Sequence, residues 1–336
     1  MKSVLVTGGA GYIGSHTVQA LVAQNTNVVV LDNLTTGNRE AVMTPHFYQG
    51  DIADERLVRE IIRKHQIDAV IHFAAKSIVS ESIQNPELYF YENTEKSCHF
   101  FETVVNEGVK QIVFSSTAAV YGTAQDKPIP ENEEIKPINP YGESKAKIEK
   151  YLHLMSTVHP IRWIALRYFN AAGASLDGTI GEDHQPESHL IPLILQTVLG
   201  KREVISIFGD DYPTMDGTCI RDYIHVLDLA HAHILALQSL QKDQPLKQNI
   251  YNIGTGFGHS VKEIIQTTEH ITGKKIKQKI EQRRIGDPPV LIADSRYLQE
   301  HLGWKPRFSD LKTIIETAWK WFEAYPNGYK QKTRVQ

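Results

Sequence analysis

The stretch TGGAGYIG, at positions 7–14, follows a short apolar run and precedes a helix-length pattern. Gly8 permits a tight turn, Gly11 lets backbone N–H groups approach a ligand, and Gly14 lets the helix pack closely. The first amides of that helix then face outward at the positive end of its dipole, where a diphosphate can bind. The stretch predicts a strand–turn–helix unit that holds a dinucleotide, and a glycine-rich turn without a ligand is the alternative.

Short apolar runs alternate with helix-length segments through the first half of the chain. Strands are predicted at 4–6, 28–31, 69–73, 112–114, 164–166, 223–226 and 250–253, and helices at 13–24 and 55–65. This alternation is typical of βαβ units around a buried parallel sheet. We expect an α/β fold: a Rossmann-type doubly wound parallel sheet followed by a smaller mixed α/β substrate domain. The first domain is predicted at 1–172 with returning elements at about 222–256, and the second at 173–221 and 257–336.

Composition and charge narrow the class of protein. The 336 residues carry 36 basic and 39 acidic side chains, a balance that gives no indication of a nucleic-acid or membrane partner. Cys98 and Cys219 lack the spacing of metal ligands, and the N-terminal apolar run is too short for a signal peptide, so we expect a cytoplasmic protein. His231 and His233 point to different faces of a helix, and we expect no metal site.

Two acidic residues follow predicted strands and bear on the cofactor. Asp32 closes the second strand 18 residues after Gly14, where a carboxylate binds ribose hydroxyls and repels a 2′-phosphate, so NAD is favoured over NADP. Asp51 has two open interpretations, a contact to the adenine amino group or the N-cap of a helix. A second glycine cluster at 254–258 precedes Ser260 and Glu263, which form a capping box, so we interpret it as a loop that leads into a helix.

Tyr141 and Lys145 share one face of a predicted helix because they are four residues apart. A tyrosine that acts as a base near pH 7 needs its pKa of about 10 lowered by ~3 units. A neighbouring ammonium and the cationic nicotinamide of NAD⁺ would both lower it. The hydroxyl of Thr117, at the end of a preceding strand, is predicted to lie against the substrate oxygen, and a serine-rich turn satisfied by its own backbone is the alternative.

Together the glycine turn, Asp32, the SST strand end at 115–117 and Tyr-x-x-x-Lys resemble the extended short-chain dehydrogenase/reductase superfamily. Narrower matches resemble its UDP-glucose 4-epimerase family. They are LDNL at 31–34, VIHFAA at 70–75, RYFN at 167–170, IFGDDYPT at 207–214, DGT at 216–218, RDYIHV at 221–226 and RRIGD at 283–287. The resemblance extends over about residues 1–325, and the long segment 207–226 is highly specific.

The resemblance implies a set of residues for each ligand. The NAD site would contain Gly8, Gly11, Tyr12, Ile13, Gly14, Asp32, Asn33, Asp51, Ile52, Phe73, Ala74, Ala75, Asn93, Lys145 and Phe169. The UDP-sugar would contact Thr117, Tyr141, Asn170, His189, Leu190, Phe208, Arg221, Arg284 and Asp287. The chain departs from the family at Lys76, one position earlier than the usual lysine, at Glu92-Asn93 in place of Asn-Asn, and at His189, where some members have Asn.

The resemblance also implies a reaction. Tyr141 would take the proton of the sugar 4-hydroxyl while C4 gives a hydride to NAD⁺, and the 4-keto sugar would turn over and take the hydride back on its other face. UDP-galactose and UDP-glucose are the expected pair. Other UDP-sugars, the N-acetylated pair above all, are the alternative, and the size of Leu291 bears on that choice. A homodimer is implied as well.

Rival functions on the same fold make different demands on the residues after Thr117. Sugar-nucleotide dehydratases usually have Asp-Glu there and decarboxylases commonly have Glu, whereas this chain has Ala118 and Ala119. Elimination would therefore lack its proton carriers. A non-enzymatic NAD sensor would be expected to lose Tyr141 or Lys145, and both are present.

Overall fold

The computed structural model describes residues 3–123, 128–284 and 287–331. Its strands are β1 (Ser3–Thr7), β2 (Asn27–Asp32), β3 (Phe47–Gln49), β4 (Ile67–His72), β5 (Gln111–Thr117), β6 (Arg162–Tyr168), β7 (Asn170–Ala172), β8 (Ile205–Phe208), β9 (Ile220–Arg221), β10 (Tyr223–His225), β11 (Ile250–Ile253), β12 (His259–Ser260), β13 (Gln278–Glu281) and β14 (Val290–Leu291). Its helices are α1 (Tyr12–Ala23), α2 (Glu55–His65), α3 (Val79–Gln84), α4 (Pro86–Tyr89), α5 (Lys96–Asn106), α6 (Pro140–Val158), α7 (Leu190–Val198), α8 (Val226–Gln241), α9 (Val261–Thr272), α10 (Arg296–Leu302) and α11 (Leu311–Ala324).

Seven parallel strands form the central sheet in the order β3-β2-β1-β4-β5-β6-β11. The chain moves outward from β1 to β3 and then crosses back to β4 on the other side of β1. In open α/β sheets, ligands bind at the carboxyl ends of the strands beside such a reversal. The expected doubly wound α/β fold is confirmed, and the glycine turn after β1 and Thr117 at the end of β5 lie at one edge of the sheet.

Helices cover both faces of the central sheet because its strands are apolar on both sides. Val4 and Val6 pack in a cluster with side chains of α1 and α8, while Leu5 packs in a second cluster with side chains of α2, α5 and α6. All three residues are buried. The sheet is therefore a rigid, fully covered layer whose strand ends are fixed relative to one another.

The remaining elements pack beside this layer around a third cluster. Trp321 of α11, Ile194 of α7 and Ile264 of α9 are buried in it. Small sheets connect the segments: β10 pairs with β7, β9 lies between β12 and β14, and β8 pairs with β13. The strand predicted at 223–226 thus lies outside the central sheet, whereas the one predicted at 250–253 forms its edge.

Most predicted elements appear with small shifts at their ends. The helix predicted at 55–65 and the strand at 250–253 have the observed bounds, while β4 ends at His72 rather than at residue 73. The three-residue strand β3 was not predicted, because it is too short and too exposed to show a buried pattern. In the described part of the chain, no helix combines the length and the apolar character that a membrane crossing requires.

Candidate active site

The glycine turn between β1 and α1 leaves no room for side chains. Gly8 has a φ of +69°, and a Cβ there would lie 2.6 Å from the backbone nitrogen of Ala74. A Cβ on Gly14 would lie 2.2 Å from the carbonyl oxygen of Gly8, so α1 packs against the turn itself. Gly11 caps α1 without a side-chain hydrogen bond. The turn therefore presents the first amides of α1 to whatever occupies the cleft.

Asp32, the last residue of β2, holds this turn in place. Its Oδ2 accepts a hydrogen bond from the Ala10 N–H at 2.9 Å and its Oδ1 accepts one from the Leu34 N–H at 2.8 Å. Burial raises the pKa of Asp32, and the two backbone hydrogen bonds oppose that rise. The carboxylate thus has a structural role at the turn while it also lines the cleft.

Asp51 does not cap a helix, so the N-cap interpretation is wrong. The N-cap of α2 is Asp54, whose side chain accepts a hydrogen bond from the Leu57 N–H. Asp51 instead accepts from Lys96 Nζ at 2.9 Å and from Asn33 Nδ2 at 3.2 Å. Burial raises the pKa of Asp51, but hydrogen bonds from the Ala53 amide, Lys96 and Asn33 outweigh it and the pKa is lowered. Asp51 and Asn33 both line the cleft.

Tyr141 and Lys145 lie in the first turns of α6, against the end of β5. Lys145 Nζ donates to the carbonyl oxygen of Ser115 at 2.9 Å. Burial lowers the pKa of Lys145 to about 7, against the opposing charge of Glu149. Burial also raises the pKa of Tyr141, which a hydrogen bond with Thr117 opposes. The ammonium of Lys145 therefore does not lower the pKa of Tyr141, since burial favours the neutral form of both groups. A lowering of this pKa depends on the second expected source, the positive charge of the nicotinamide.

Thr117 is brought next to Tyr141 by a short turn of 3₁₀ helix at Ala118–Tyr121. The Thr117 hydroxyl caps this turn by accepting the Ala119 N–H at 3.1 Å. A Cβ on Gly142 would lie 2.4 Å from the Ala119 carbonyl oxygen, so the start of α6 is in direct backbone contact with the turn. The absence of a side chain at Gly142 is therefore what sets Tyr141 beside Thr117.

A buried ion pair lies beneath this corner. Glu149, two turns beyond Tyr141 on α6, accepts from Arg167 Nε at 2.8 Å and from Ser116 Oγ at 2.5 Å. Arg167 also donates to the Tyr121 hydroxyl at 2.8 Å. These bonds join α6, the ends of β5 and β6 and the 3₁₀ turn, so they fix the positions of the elements that carry Thr117, Tyr141 and Lys145.

Asn93 is the predicted cofactor residue that does not line the cleft. Its side chain is fully buried, and its Oδ1 accepts the Lys76 N–H at 2.8 Å. Its amide group donates to the Lys76 carbonyl oxygen at 3.0 Å and to Ser144 Oγ at 3.1 Å. Asn93 therefore attaches the segment that follows Ala75 to helix α6. That segment does line the cleft, together with Phe73, Ala74 and Ala75.

The opposite half of the cleft is assembled from short strands and loops. The guanidinium of Arg284 lies 4.0 Å above the ring of Phe208. Arg221 forms an ion pair with Asp287, and its Nη1 donates to the Ile220 carbonyl oxygen at 2.7 Å. Arg221, a predicted contact of the UDP-sugar, is thus already held in place by Asp287, a carboxylate of the same predicted site. Ile285 and Gly286, in the motif at 283–287, lie outside the described residues.

Two histidines and two glutamates line the wall between these halves. His189 Nδ1 lies 2.8 Å from Glu187 Oε1, and His184 forms an ion pair with Glu182. The charge of Glu182 raises the pKa of His184 to about 9. Only His189 was predicted as a site residue. Glu182, His184 and Glu187 are not part of a family motif, and the folding of the loop is what brings them close to His189.

All the predicted site residues except Asn93 line one continuous cleft of about 1670 Å³. The cleft also includes residues that sequence reasoning missed, among them Tyr168, Ser206, Cys219, Tyr223 and Val261. One of them, Tyr223, could have been found from the sequence. Tyr223 is two residues beyond Arg221 in an extended segment, and alternation along a strand puts such residues on one side.

Comparison with known proteins identifies the lineage. The sequence model of the NAD dependent epimerase/dehydratase family matches residues 4–254. The chain belongs to this family. It is 50% identical over 333 residues to the UDP-glucose 4-epimerase of Halalkalibacterium halodurans, covering 99% of each chain.

Solved structures in the same family agree with the fold over nearly the whole chain. A crystal structure of UDP-glucose 4-epimerase superposes with a TM-score of 0.95 at 48% identity and covers 98% of this chain and 100% of its own. The enzyme of Bifidobacterium longum, solved with NAD⁺ and UDP, gives a TM-score of 0.91 at 34% identity, covering 98% and 100%. The family therefore includes members that hold both ligands on this architecture.

The residues present fit NAD. The turn leaves α1 without a side-chain cap, so its free amides suit a diphosphate. Asp32 ends β2 at the cleft and suits ribose hydroxyls. A dinucleotide on the turn would extend along the carboxyl edge of the sheet toward Lys145.

Proposed function

We propose that this protein interconverts UDP-galactose and UDP-glucose by inverting the sugar at C4, with NAD as a bound cofactor. The observation that carries the proposal is the continuous cleft. Its walls hold the dinucleotide turn, then Thr117, Tyr141 and Lys145, then the arginines 221 and 284. Relatives of this chain at up to 50% identity carry this activity in their names, which supports the same assignment here.

Each group of the chain has a defined task in this reaction. Bound NAD supplies a hydride acceptor and donor at its nicotinamide ring. Tyr141 takes the proton of the 4-hydroxyl and returns it to the keto oxygen at the end of the cycle. Thr117 donates a hydrogen bond to the same sugar oxygen, and Lys145, fixed by the Ser115 carbonyl, orients toward the cofactor ribose.

The two halves of the substrate must be held differently, because inversion requires the hexose to turn opposite faces of C4 toward the same bound nicotinamide. Arg221 and Arg284 hold the diphosphate by charge, and a guanidinium can bind such a group through two hydrogen bonds. The wall beside Thr117 is formed by the small side chains of Ala118 and Ala119, which line the cleft. Firm binding of UDP and loose contact with the sugar allow the 4-keto sugar to turn.

The decisive experiment incubates the purified protein with UDP-galactose, without added NAD, and measures UDP-glucose. Product should form, because the cofactor is regenerated in each cycle and remains bound. Tyr141→Phe should lower kcat by about 10²–10⁴-fold, the usual worth of a positioned acid–base group, while bound NAD is unchanged. A Tyr141→Phe protein with full activity would show that the base is another residue.

Two alternatives are tested in the same assay. A dehydratase would release water and accumulate a 4-keto-6-deoxy sugar, but Ala118 and Ala119 offer no carboxylate for that elimination. An epimerase of N-acetylated UDP-sugars would turn over UDP-GlcNAc faster than UDP-glucose. Leu291 lines the cleft with a side chain of intermediate size, which supports the unsubstituted pair as the main substrates.

We also propose a homodimer that forms through the outer face of α6. Leu154 and Val158 lie one turn apart on that face, with 54% and 75% of their surfaces exposed. Apolar side chains at this spacing suit a helix of a second copy. Light scattering after size exclusion should give twice the monomer mass, and Leu154→Glu with Val158→Lys should give the monomer. A wild-type monomer would contradict the proposal.

We also propose that the chain divides into two domains. The third hydrophobic cluster, around α7, α9 and α11, supports a substrate domain at 173–221 and 257–336 beside the cofactor domain.

Free thiols at Cys98 and Cys219 support the proposal that the protein lies in the reducing cytoplasm. Oxidation that joins the two sulfurs in protein isolated from cells would contradict the compartment.

A further inference from the structure

The loop between β7 and α7 gathers three metal-ligating side chains at the wall of the cleft. Glu182, His184 and His189 each offer one donor atom, and these atoms all lie within 4.8 Å of one another. Glu182 is buried, His184 is partly buried and His189 is exposed to the cleft. Two imidazoles and one carboxylate are a donor set that zinc sites use.

The loop that carries these donors is held rigidly against α11. A Cβ on Gly181 would lie 2.2 Å from Cγ of Trp321, so the backbone rests directly on the indole. The indole Nε1 donates to the Glu182 carbonyl oxygen at 3.0 Å. A pre-formed loop of this kind holds the donors in place before any ion arrives.

His189 has the outer partner that metal-bound histidines usually have. Its Nδ1 lies 2.8 Å from Glu187 Oε1, and the same oxygen accepts the Ser188 and His189 backbone N–H groups at 2.7 Å each. A carboxylate that binds one ring nitrogen fixes the orientation of the imidazole and leaves Nε2 free as a ligand. Glu187 therefore prepares His189 for a cation.

His184 lies beside the same buried carboxylate. Its Nδ1 is buried and forms an ion pair with Glu182, so the imidazole and the carboxylate already face each other. The rings of His184 and His189 are 5.6 Å apart and tilted by 41°. Two imidazoles and a buried carboxylate that converge in this way form a donor set that a shared cation can bind.

We propose that Glu182, His184 and His189 bind a divalent transition-metal ion of the zinc class, with one coordination position open to the cleft. No metal site was expected from the sequence, because His231 and His233 point to different faces of a helix. The donors proposed here lie instead in a loop, as Glu-x-His followed by a histidine five residues later. An oxygen ligand from the cleft completes the tetrahedron that zinc prefers. The site is separate from the proton transfer at Tyr141.

The experiment titrates Zn²⁺ into the NAD-loaded, full-length protein after dialysis against a chelator, followed by calorimetry. Wild type should bind one ion per chain. His184→Gln and His189→Gln should each weaken binding more than 100-fold, and Glu187→Gln, an outer partner, by about 10–100-fold. His65→Gln is the matched control, because His65 and His46 form another imidazole pair, 5.0 Å apart, without the carboxylate.

A second probe reports on the ligands themselves. Co²⁺ in place of Zn²⁺ should give the intense visible absorption of a low-coordinate site in wild type and His65→Gln, and lose it in His184→Gln. NAD content and circular dichroism establish that each variant is folded. The proposal is overturned if folded wild type binds no stoichiometric Zn²⁺, if His184→Gln binds it as wild type does, or if His65→Gln is the variant that loses it.

Discussion

The two halves of the cleft are built on different principles. On the cofactor side the walls are mainly backbone: Gly8 and Gly14 exclude side chains, and the amides of α1 face the ligand. On the substrate side the walls are side chains from distant segments, with Arg221 paired to Asp287 and Arg284 stacked on Phe208. One half depends on the shape of the main chain and the other on pairs of charges.

This difference explains how each half tolerates change. A backbone turn is specified by a few consecutive residues, and a single added carbon atom disrupts it. A charge pair tolerates a change of shape but fails when one partner is removed. Substitutions should therefore cause loss of NAD in the first half and a raised KM for the nucleotide sugar in the second.

The largest expected effect concerns the support beneath the cofactor half. Glu149→Gln keeps the shape of the side chain but leaves the buried Arg167 guanidinium without its counter-charge. The free energy of unfolding should fall by about 3–5 kcal/mol. Urea denaturation measures it, with Glu143→Gln as control, because the Glu143–Lys147 pair is exposed and its loss should cost less than about 1 kcal/mol. Equal losses in the two variants would contradict the role of the buried pair.

The next effect tests the backbone half directly. Gly14→Ala places a Cβ 2.2 Å from the Gly8 carbonyl oxygen, so the turn must shift. NAD affinity should fall at least 100-fold, or about 2.8 kcal/mol, as measured by the cofactor retained after dialysis. Gly273→Ala is the control. Its φ of +68° is also strained, but a Cβ there meets nothing within 4 Å, and NAD should be retained. Normal NAD in Gly14→Ala would refute the steric account.

A charge change should sharpen the comparison on the other side. Arg221→Met removes a hydrogen-bonding cation from the diphosphate site, and KM for UDP-galactose should rise by the equivalent of about 1.5–3 kcal/mol, with bound NAD unchanged. Arg283→Met is the control, because Arg283 pairs with Asp211 at the surface. If kcat alone falls, Arg221 acts on the reacting sugar rather than on the diphosphate.

The smallest expected effect concerns Asp51, a charged side chain in the cofactor half, whose walls are otherwise mainly backbone. The lowered pKa of Asp51 means that its ionised form stabilises the fold above the ordinary value of 3.8. Asp51→Asn should lower the free energy of unfolding by about 0.5 kcal/mol at neutral pH, a figure reduced by solvent screening. This difference should vanish as the pH falls through the lowered pKa of Asp51. A difference that persists in acid would assign the loss to geometry rather than to charge.

Sequence reasoning succeeded where local sequence specifies local shape. The glycine turn, helix α2 and the capping box of Ser260 with Glu263 were all predicted, since each depends on residues a few positions apart. The doubly wound sheet followed from the alternation of strands and helices. These features hold in the structure because no distant segment competes with them.

The contacts that the sequence did not predict share one physical cause. Asn93 turns inward to Lys76 and Ser144, and Asp51 binds Lys96 and Asn33, because partners brought close by folding decide which hydrogen bonds form. Ser144 is 51 residues from Asn93, and Lys96 is 45 residues from Asp51, along the sequence. The convergence of His184 and His189 has the same origin, since it follows from a loop that rests on Trp321.

The contact of Gly142 with the Ala119 carbonyl oxygen has a consequence for motion. A Cβ on Gly142 would lie only 2.4 Å from that oxygen. The start of α6 is therefore packed directly against the turn that follows β5 and has no room to shift. The phenol of Tyr141 is then fixed in position, and a sugar that must turn opposite faces of C4 toward the cofactor has to perform the whole rotation itself. The substrate therefore moves during the reaction, while Tyr141 and the start of α6 stay fixed.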